Sequence, residues 1–301
     1  MTSNEFYVRK ITTKDMPRIK EISSGIWEGH DYIPFVVENW ISRDDCFVYG
    51  IIEKVSEELL AFANVKWLSR GKDKIAWLEG GRVDSKRQQS GLGTELSKFA
   101  LNYAEENGAV AAMYDTSSRN LGSTAIAKNY DFKLKFCMHH LFIEPKSLDI
   151  EKFPLSSMIQ VRKIDVSEVF RICENIPNGP IEEFSKGWSY VPFTQENLEK
   201  IEGKWRTNER SIMLVLTLGE EPSQESPKNE EIWLILYGEI DFAINLLSDY
   251  LHNHDLSHLK SLEVFCHLEI GPFLNKLGFK YSNKEELENK AAGVLLFEKL
   301  F

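Results

Sequence analysis

The sequence predicts a mixed α/β (α+β) chain of two tandem domains, each a mostly antiparallel central sheet flanked by helices. Three observations carry this. Apolar runs of strand length alternate with helix-like segments through the first half. Short stretches of the first half recur in order in the second. The 301 residues, 43% hydrophobic and 27% charged, are enough for two ordinary cores.

In order, Phe6–Ile11 reads as a strand, and Thr13 or Asp15 can cap a helix running to about Ser23. Residues 25–41 mix aromatics, Gly and Pro and continue into a short helix ending near Trp40. Cys46–Lys54 and Leu60–Leu68 read as strands joined by the polar turn VSEE, with Ala76–Val83 as a third. Thr94–Asn107 reads as a helix stopped by Gly108, and Val110–Asp115 as a buried strand. A helix over Leu121–Asn129 and a strand over Leu134–Ile143 complete the first half.

The second half repeats the opening. Val8-Arg9-Lys10-Ile11 returns as Val161-Arg162-Lys163-Ile164, and Tyr32-Ile33-Pro34-Phe35 as Tyr190-Val191-Pro192-Phe193. Glu38-Asn39 returns as Glu196-Asn197, and Asp131-Phe132-Lys133 is echoed by Gly278-Phe279-Lys280. Ordered matches of this kind indicate two copies of one domain, expected over 1–147 and 158–301. Strands are expected at Ile212–Thr217, Ile232–Tyr237, Leu262–Cys266 and Val294–Phe297. The polar segment 219–230 reads as a loop within the second copy.

A net charge of −10 argues against general binding to nucleic acid or to an anionic membrane. The opening residues lack the apolar core of a signal peptide, and no run is long enough to span a bilayer. Cys46, Cys137, Cys173 and Cys266 stand far apart, so neither a disulfide framework nor a zinc site is indicated. His139 and His140 would point to opposite faces of a strand. No metal is expected, and the cytoplasm is the natural compartment.

The informative segment is the strand AWLEGGRV followed by Gln88-Gln89-Ser90-Gly91-Leu92-Gly93 at the start of a helix. Backbone N–H groups there lack partners and carry partial positive charge, and glycines let a pyrophosphate approach them. A Gly-rich turn before a surface helix would look the same. No G-x-G-x-x-G and no G-K-S/T is present, so dinucleotide and Walker-type readings fit poorly.

The run Gln88-x-x-Gly91-x-Gly93 resembles the Arg/Gln-x-x-Gly-x-Gly/Ala motif of the GCN5-related N-acetyltransferase superfamily. Asn120, Ala127 and Phe132 stand where that superfamily places its second cofactor segment, with Asp131 in place of the usual Gly. The resemblance covers about the first 145 residues. IWEGHDYIPFVVENWI and WLEGGRV resemble the histidine N-acetyltransferase group, in which a divergent second half follows the acetyltransferase domain.

The resemblance implies acetyl-CoA as cosubstrate. It would be held by Arg82, Val83, Gln88, Gln89, Ser90, Gly91, Leu92, Gly93 and Thr94, with Asn120 on the pantetheine. The amine would attack the thioester directly, which requires a base, and the Val83 backbone is the candidate oxyanion donor. Glu79 is the candidate base. It stands four residues before Val83, so on a regular strand both side chains share one face. A simpler role for Glu79 is pairing with Arg82 or Lys66. The superfamily's usual acid, a Tyr seven positions after the Asn, is here Ala127, which leaves solvent or a hydroxyl such as Ser123; Tyr130 lies three residues on.

For the substrate, Tyr32 and Trp40 could stack on a ring, and Asp31 or Glu28 could hold an ammonium. Equally, Tyr32, Pro34 and Phe35 could build a packed loop. The expected partner is a small-molecule amine or amino acid, histidine being the family's suggestion. A protein N-terminus or lysine as acceptor, and a non-catalytic acyl-CoA-binding role, are the alternatives. The second copy lacks the motif: IWLILYG runs through Glu239 and Asp241 into a helix, so no CoA is expected there.

Overall fold

The computed structural model describes residues 5–26, 31–156, 159–218, 231–282 and 293–301. The chain forms two compact units. The first runs to Tyr114 and adds Ala125–Lys133 and Phe297–Phe301; the second takes Asp115–Thr124 and Leu134–Leu296.

In the first unit the elements follow as β1 (Phe6–Lys10), α1 (Met16–Ser24), α2 (Ile33–Ser42), β2 (Cys46–Glu53), β3 (Leu59–Arg70), β4 (Asp73–Val83), α3 (Leu92–Glu106), β5 (Ala111–Ser117), in this unit to Tyr114, and α4 (Leu121–Asn129), in it from Ala125. The strands lie in chain order, β1 through β4 antiparallel and β5 parallel to β4. Asp15 is the N-cap of α1, as expected; Thr12 opens the short turn before it, and the Asp15 carboxylate accepts from the Thr12 N–H at 2.9 Å. β3 and β4 are longer than the sequence suggests and meet at the two-residue turn Gly71-Lys72. Arg70, Asp73 and Lys74 hide these strand ends from a hydrophobicity count, while Gly71 supplies the positive φ the turn needs.

Helices α1 and α2 bury Ile19, Ile22, Ile33 and Val37 against Val48, Ile52 and Phe62. Helix α3 buries Leu92, Leu96, Ala100 and Ala104, one stripe at spacings of four. It packs on the other sheet face, where Tyr49, next to Val48 on β2, donates its hydroxyl to Leu96 O at 2.9 Å.

The second unit takes β6 (Lys133–Ile143) from Leu134 onward. It continues with β7 (Arg162–Ile164), α5 (Val166–Cys173), β8 (Glu183–Ser185), β9 (Tyr190–Pro192), α6 (Gln195–Glu199), β10 (Lys204–Thr207), β11 (Ser211–Leu218) and β12 (Glu231–Gly238). Then come α7 (Ile240–Asn253), β13 (Ser261–Cys266), α8 (Gly271–Lys276), β14 (Lys280–Tyr281) and β15 (Val294–Leu300), whose last four residues belong to the first unit. β7, β10, β11 and β12 are antiparallel neighbours and β13 is parallel to β12. That is the succession of β1 to β5, with α7 following β12 as α3 follows β4. The two VRKI segments give the edge strands β1 and β7. The fold is thus mixed α/β, with the strand pattern of the first unit repeated in the second. The second core centres on Leu234, Leu236, Leu246, Leu247, Leu262 and Val264.

The compact units differ from the halves 1–147 and 158–301 in three places, the first being Asp115–Thr124, which groups with the second unit. Most of β6 groups with the second unit, and the C-terminal residues Phe297–Phe301 group with the first. The loop expected over 219–230 lies outside the described residues.

Candidate active site

β4 and β5 form a fork. They pair over three residues, Ile75, Ala76 and Trp77 opposite Ala111, Ala112 and Met113. From Leu78 to Val83, β4 keeps β3 on one side and, among the described residues, has no strand on the other. An open strand edge of this kind presents backbone N–H and C=O groups to an extended ligand.

A bulge sits on the open stretch. Asn64 is opposite Glu79, but Phe62 is opposite Arg82, so Gly80 and Gly81 together face Ala63. This overturns the expectation that Glu79 and Val83 share a face. Their partners Asn64 and Ala61 are three apart on β3, hence on opposite faces. The extra residue brings Glu79 and Arg82 onto one face instead. Gly80 adopts φ +69°, and a Cβ there would lie 2.7 Å from the Trp40 ring, so Trp40 packs directly on the bulge.

The Glu79 carboxylate is half-buried and accepts hydrogen bonds from Asn64 Nδ2 at 2.8 Å and Trp77 Nε1 at 3.1 Å. Arg82 turns to Asp31, donating from Nε at 2.8 Å and Nη2 at 2.7 Å. Asp31 is 3% exposed and also accepts from Ile33 N–H, so the pair anchors the start of α2. Tyr32 is 43% exposed and Phe35 85% exposed, which does not fit a packed aromatic loop. Tyr32 meets Trp40 edge-on at 6.4 Å between centroids, with the Arg82 guanidinium 5.5 Å from its ring. Glu28 lies outside the described residues.

Past Val83 the chain is held from two sides. The buried Asp84 caps the turn Ser85–Arg87 by accepting from Lys86 N–H at 2.9 Å, and it also pairs with Arg18. Arg87 bonds Glu53 at 3.0 Å. Gln89 (φ 62°) and Gly91 (φ 83°) then turn the backbone into α3, a 15-residue helix with no side-chain cap. Among the described residues, the N–H groups of Gln88 through Thr94 have no acceptor. A Cβ at Gly81, Gly91 or Gly93 would meet nothing within 4 Å, so the space before these amides is open. Open space, free amides and a helix N-terminus suit a pyrophosphate.

Residues 9–132 match the family model of the acetyltransferase (GNAT) family. This segment belongs to that family. The fold likeness extends over the whole chain. A GCN5-related N-acetyltransferase from Sphaerobacter thermophilus aligns with 100% of this chain and 97% of its own, at 14% identity and a TM-score of 0.63. A GCN5-related glucosamine N-acetyltransferase region of a fungal multi-domain GH3 β-N-acetylglucosaminidase aligns with 98% of this chain and 38% of that one, at 12% identity and a TM-score of 0.66. A GCN5-related N-acetyltransferase from Kribbella flavida aligns with 98% of this chain and 71% of its own, at 12% identity and a TM-score of 0.52. No curated protein matches the chain.

The chain is an acetyl-CoA-dependent N-acetyltransferase, and the cradle from Gln88 to Thr94 fits its cosubstrate. Asn120 caps α4, accepting from Ser123 N–H through Oδ1 at 3.0 Å. Ala127 is buried. Tyr130 donates to Thr94 O at 3.0 Å, at the cradle end of α3. Burial, with a contribution from Glu95, raises its pKa, so it stays protonated. Sequence reasoning missed Asn64, Trp77, Asp84 and Arg18. A lone amide in the apolar run LLAFANVKWL was the available signal for the first.

The corresponding junction in the second unit is built differently. β12 and β13 pair over six residues, Glu231–Leu236 opposite Ser261–Cys266. A Cβ at Gly238 would lie 2.5 Å from Arg210 O, and Glu239 binds Arg210 through Nε at 2.6 Å. Asp241 sits in the first turn of α7. Among the described residues no cluster of three or more His, Cys, Asp or Glu could hold a metal. His140 instead bonds Glu263 at 2.8 Å, and His252 bonds Phe153 O at 2.8 Å. No helix among the described residues is long and apolar enough to cross a membrane.

Calorimetric titration is expected to give one acetyl-CoA per chain, and Gly91→Trp to lose it. The new side chain would enter open space, so the protein loses about 1–2 kcal/mol to the positive φ while the pyrophosphate loses its approach. Unchanged affinity in the folded variant, or two equal sites in the parent, would contradict this assignment.

Proposed function

We propose that the chain acetylates the amine of a small molecule, a free amino acid such as histidine, in the cytoplasm, in a ternary complex with Glu79 as base. The observation that carries this reading is the Glu79 carboxylate, half-buried on β4 beside the bulge and on the face where Arg82, Asp31 and the start of α2 gather.

Acetyl-CoA supplies the activated thioester carbonyl. The free edge of β4 and the amides of Gln88–Thr94 orient it, with Asn120 as a further contact. Glu79 takes the proton of the incoming ammonium, leaving a nucleophilic amine. Asp31 is neutralised by Arg82, so it supports the loop and leaves Glu79 as the carboxylate that meets the substrate's charge. The exposed Tyr32 offers a ring to the acceptor's side chain. The fungal region that shares the whole-chain fold is described as acting on glucosamine, also a small amine. The second unit, with Glu239 and Asp241 at the start of α7, serves as scaffold and not as a second CoA site.

The test is acetyl-CoA consumption with a panel of free amino acids, glucosamine and an N-terminal peptide. Turnover is expected with free amino acids, highest for histidine. Turnover confined to the peptide or to glucosamine would overturn the amino-acid assignment.

A further inference from the structure

Asn64 sits in the middle of β3 at 1% exposure, between the buried Ala63 and Val65. Burying an amide without partners costs about 1–3 kcal/mol. Its Nδ2 donates to Glu79 Oε1 at 2.8 Å, but its Oδ1 is buried with no hydrogen-bond partner. An apolar side chain would suit this position better for stability alone. What the amide does achieve is a bond to one oxygen of Glu79. Trp77, two residues before Glu79 on β4 and itself buried, donates from Nε1 to the other oxygen, Oε2, at 3.1 Å. Each carboxylate oxygen thus receives a neutral N–H, and neither donor can take up a proton.

We propose that Asn64 and Trp77 are positioning residues that fix the Glu79 carboxylate toward the fork and keep it ionised as the base. The proposal rests on the reading of Glu79 as base. Hydrogen bonds to the charged form of an acid favour that form. Of the ionisable groups described near Glu79, several are already engaged or lie in solvent. Asp31 and Arg82 neutralise one another. The Cys46 thiol on β2, which also reaches Asn64, is kept protonated by burial. Glu38 on α2 is exposed. Lys66 on β3 stands opposite Trp77 in register and adds a cation that all the variants below retain.

The experiment is the pH dependence of kcat/KM, with histidine or the best amine of the panel, for the parent, Glu79→Gln, Trp77→Phe and Asn64→Ala. Glu79→Gln is expected to lose the limb on which activity rises with pH. Trp77→Phe and Asn64→Ala are expected to keep that limb with its midpoint moved up by about one pH unit, the size of one lost hydrogen bond to a charged group. The KM for acetyl-CoA should stay unchanged in both. A limb that survives in Glu79→Gln would remove Glu79 as the base. A limb lost in Glu79→Gln but unmoved in Trp77→Phe and Asn64→Ala, each shown by circular dichroism to be folded, would overturn the positioning role alone.

Discussion

Glu79→Gln is expected to lower kcat about 10²–10⁴-fold near neutral pH, with acetyl-CoA affinity nearly unchanged. A free amine is mostly protonated there, and attack needs its neutral form. Glutamine has the size of glutamate but cannot take a proton. Its carbonyl can accept from Asn64 or from Trp77, while its NH2 group confronts the other donor, so a small loss of stability accompanies the chemical loss. Thermal unfolding separates the two effects. A folded variant with parental kcat at every pH would exclude Glu79 from the chemistry. The acetyl-CoA affinity is the internal control, because Gln88–Thr94 and the cap of α3 lie beyond the bulge and do not involve this side chain.

Much of this was legible in the sequence, for reasons tied to particular residues. The open start of α3 was legible because Gly91 and Gly93 leave its backbone uncovered. The repeated strand pattern was legible because VRKI makes an edge strand in both places, and edge strands keep their own pattern of exposed charge. The face of Glu79 was not legible. A bulge changes which side chains point together, and Gly80-Gly81 announces a bulge without fixing its register. Asp31 was offered as a ligand for an ammonium because sequence gives no sign that Arg82, fifty-one positions away, reaches back to it. The compact units were not legible either. Nothing in VLLFEKLF says that its last five residues pack at the start of β5, because a strand carries no address for its partner.

Deleting Phe297–Phe301 is therefore expected to unfold the first unit, although these residues are the most distant in sequence from the acetyl-CoA cradle. Within that unit Phe297 is buried and stacks on Tyr114 at 5.5 Å, and Tyr114 in turn meets Phe132 edge-on at 5.0 Å. Glu298 pairs with Arg70 at 2.8 Å, where β3 turns into β4. Phe301 N–H donates to Val110 O at 3.1 Å, just before β5 begins. Removing a buried Phe alone costs about 3–5 kcal/mol, and a partly buried guanidinium that loses its carboxylate adds to that. Against a domain stability of about 5–15 kcal/mol, the sum is a large share of the whole. For the same reason a fragment of residues 1–147 should be insoluble or protease-sensitive, since it lacks the five residues and carries β6 without its partner β13. The milder variant Phe297→Ala should lower Tm while leaving the acceptor KM of the folded fraction unchanged. Full activity and a parental Tm in the five-residue deletion would show that the C-terminal segment is dispensable for the first unit.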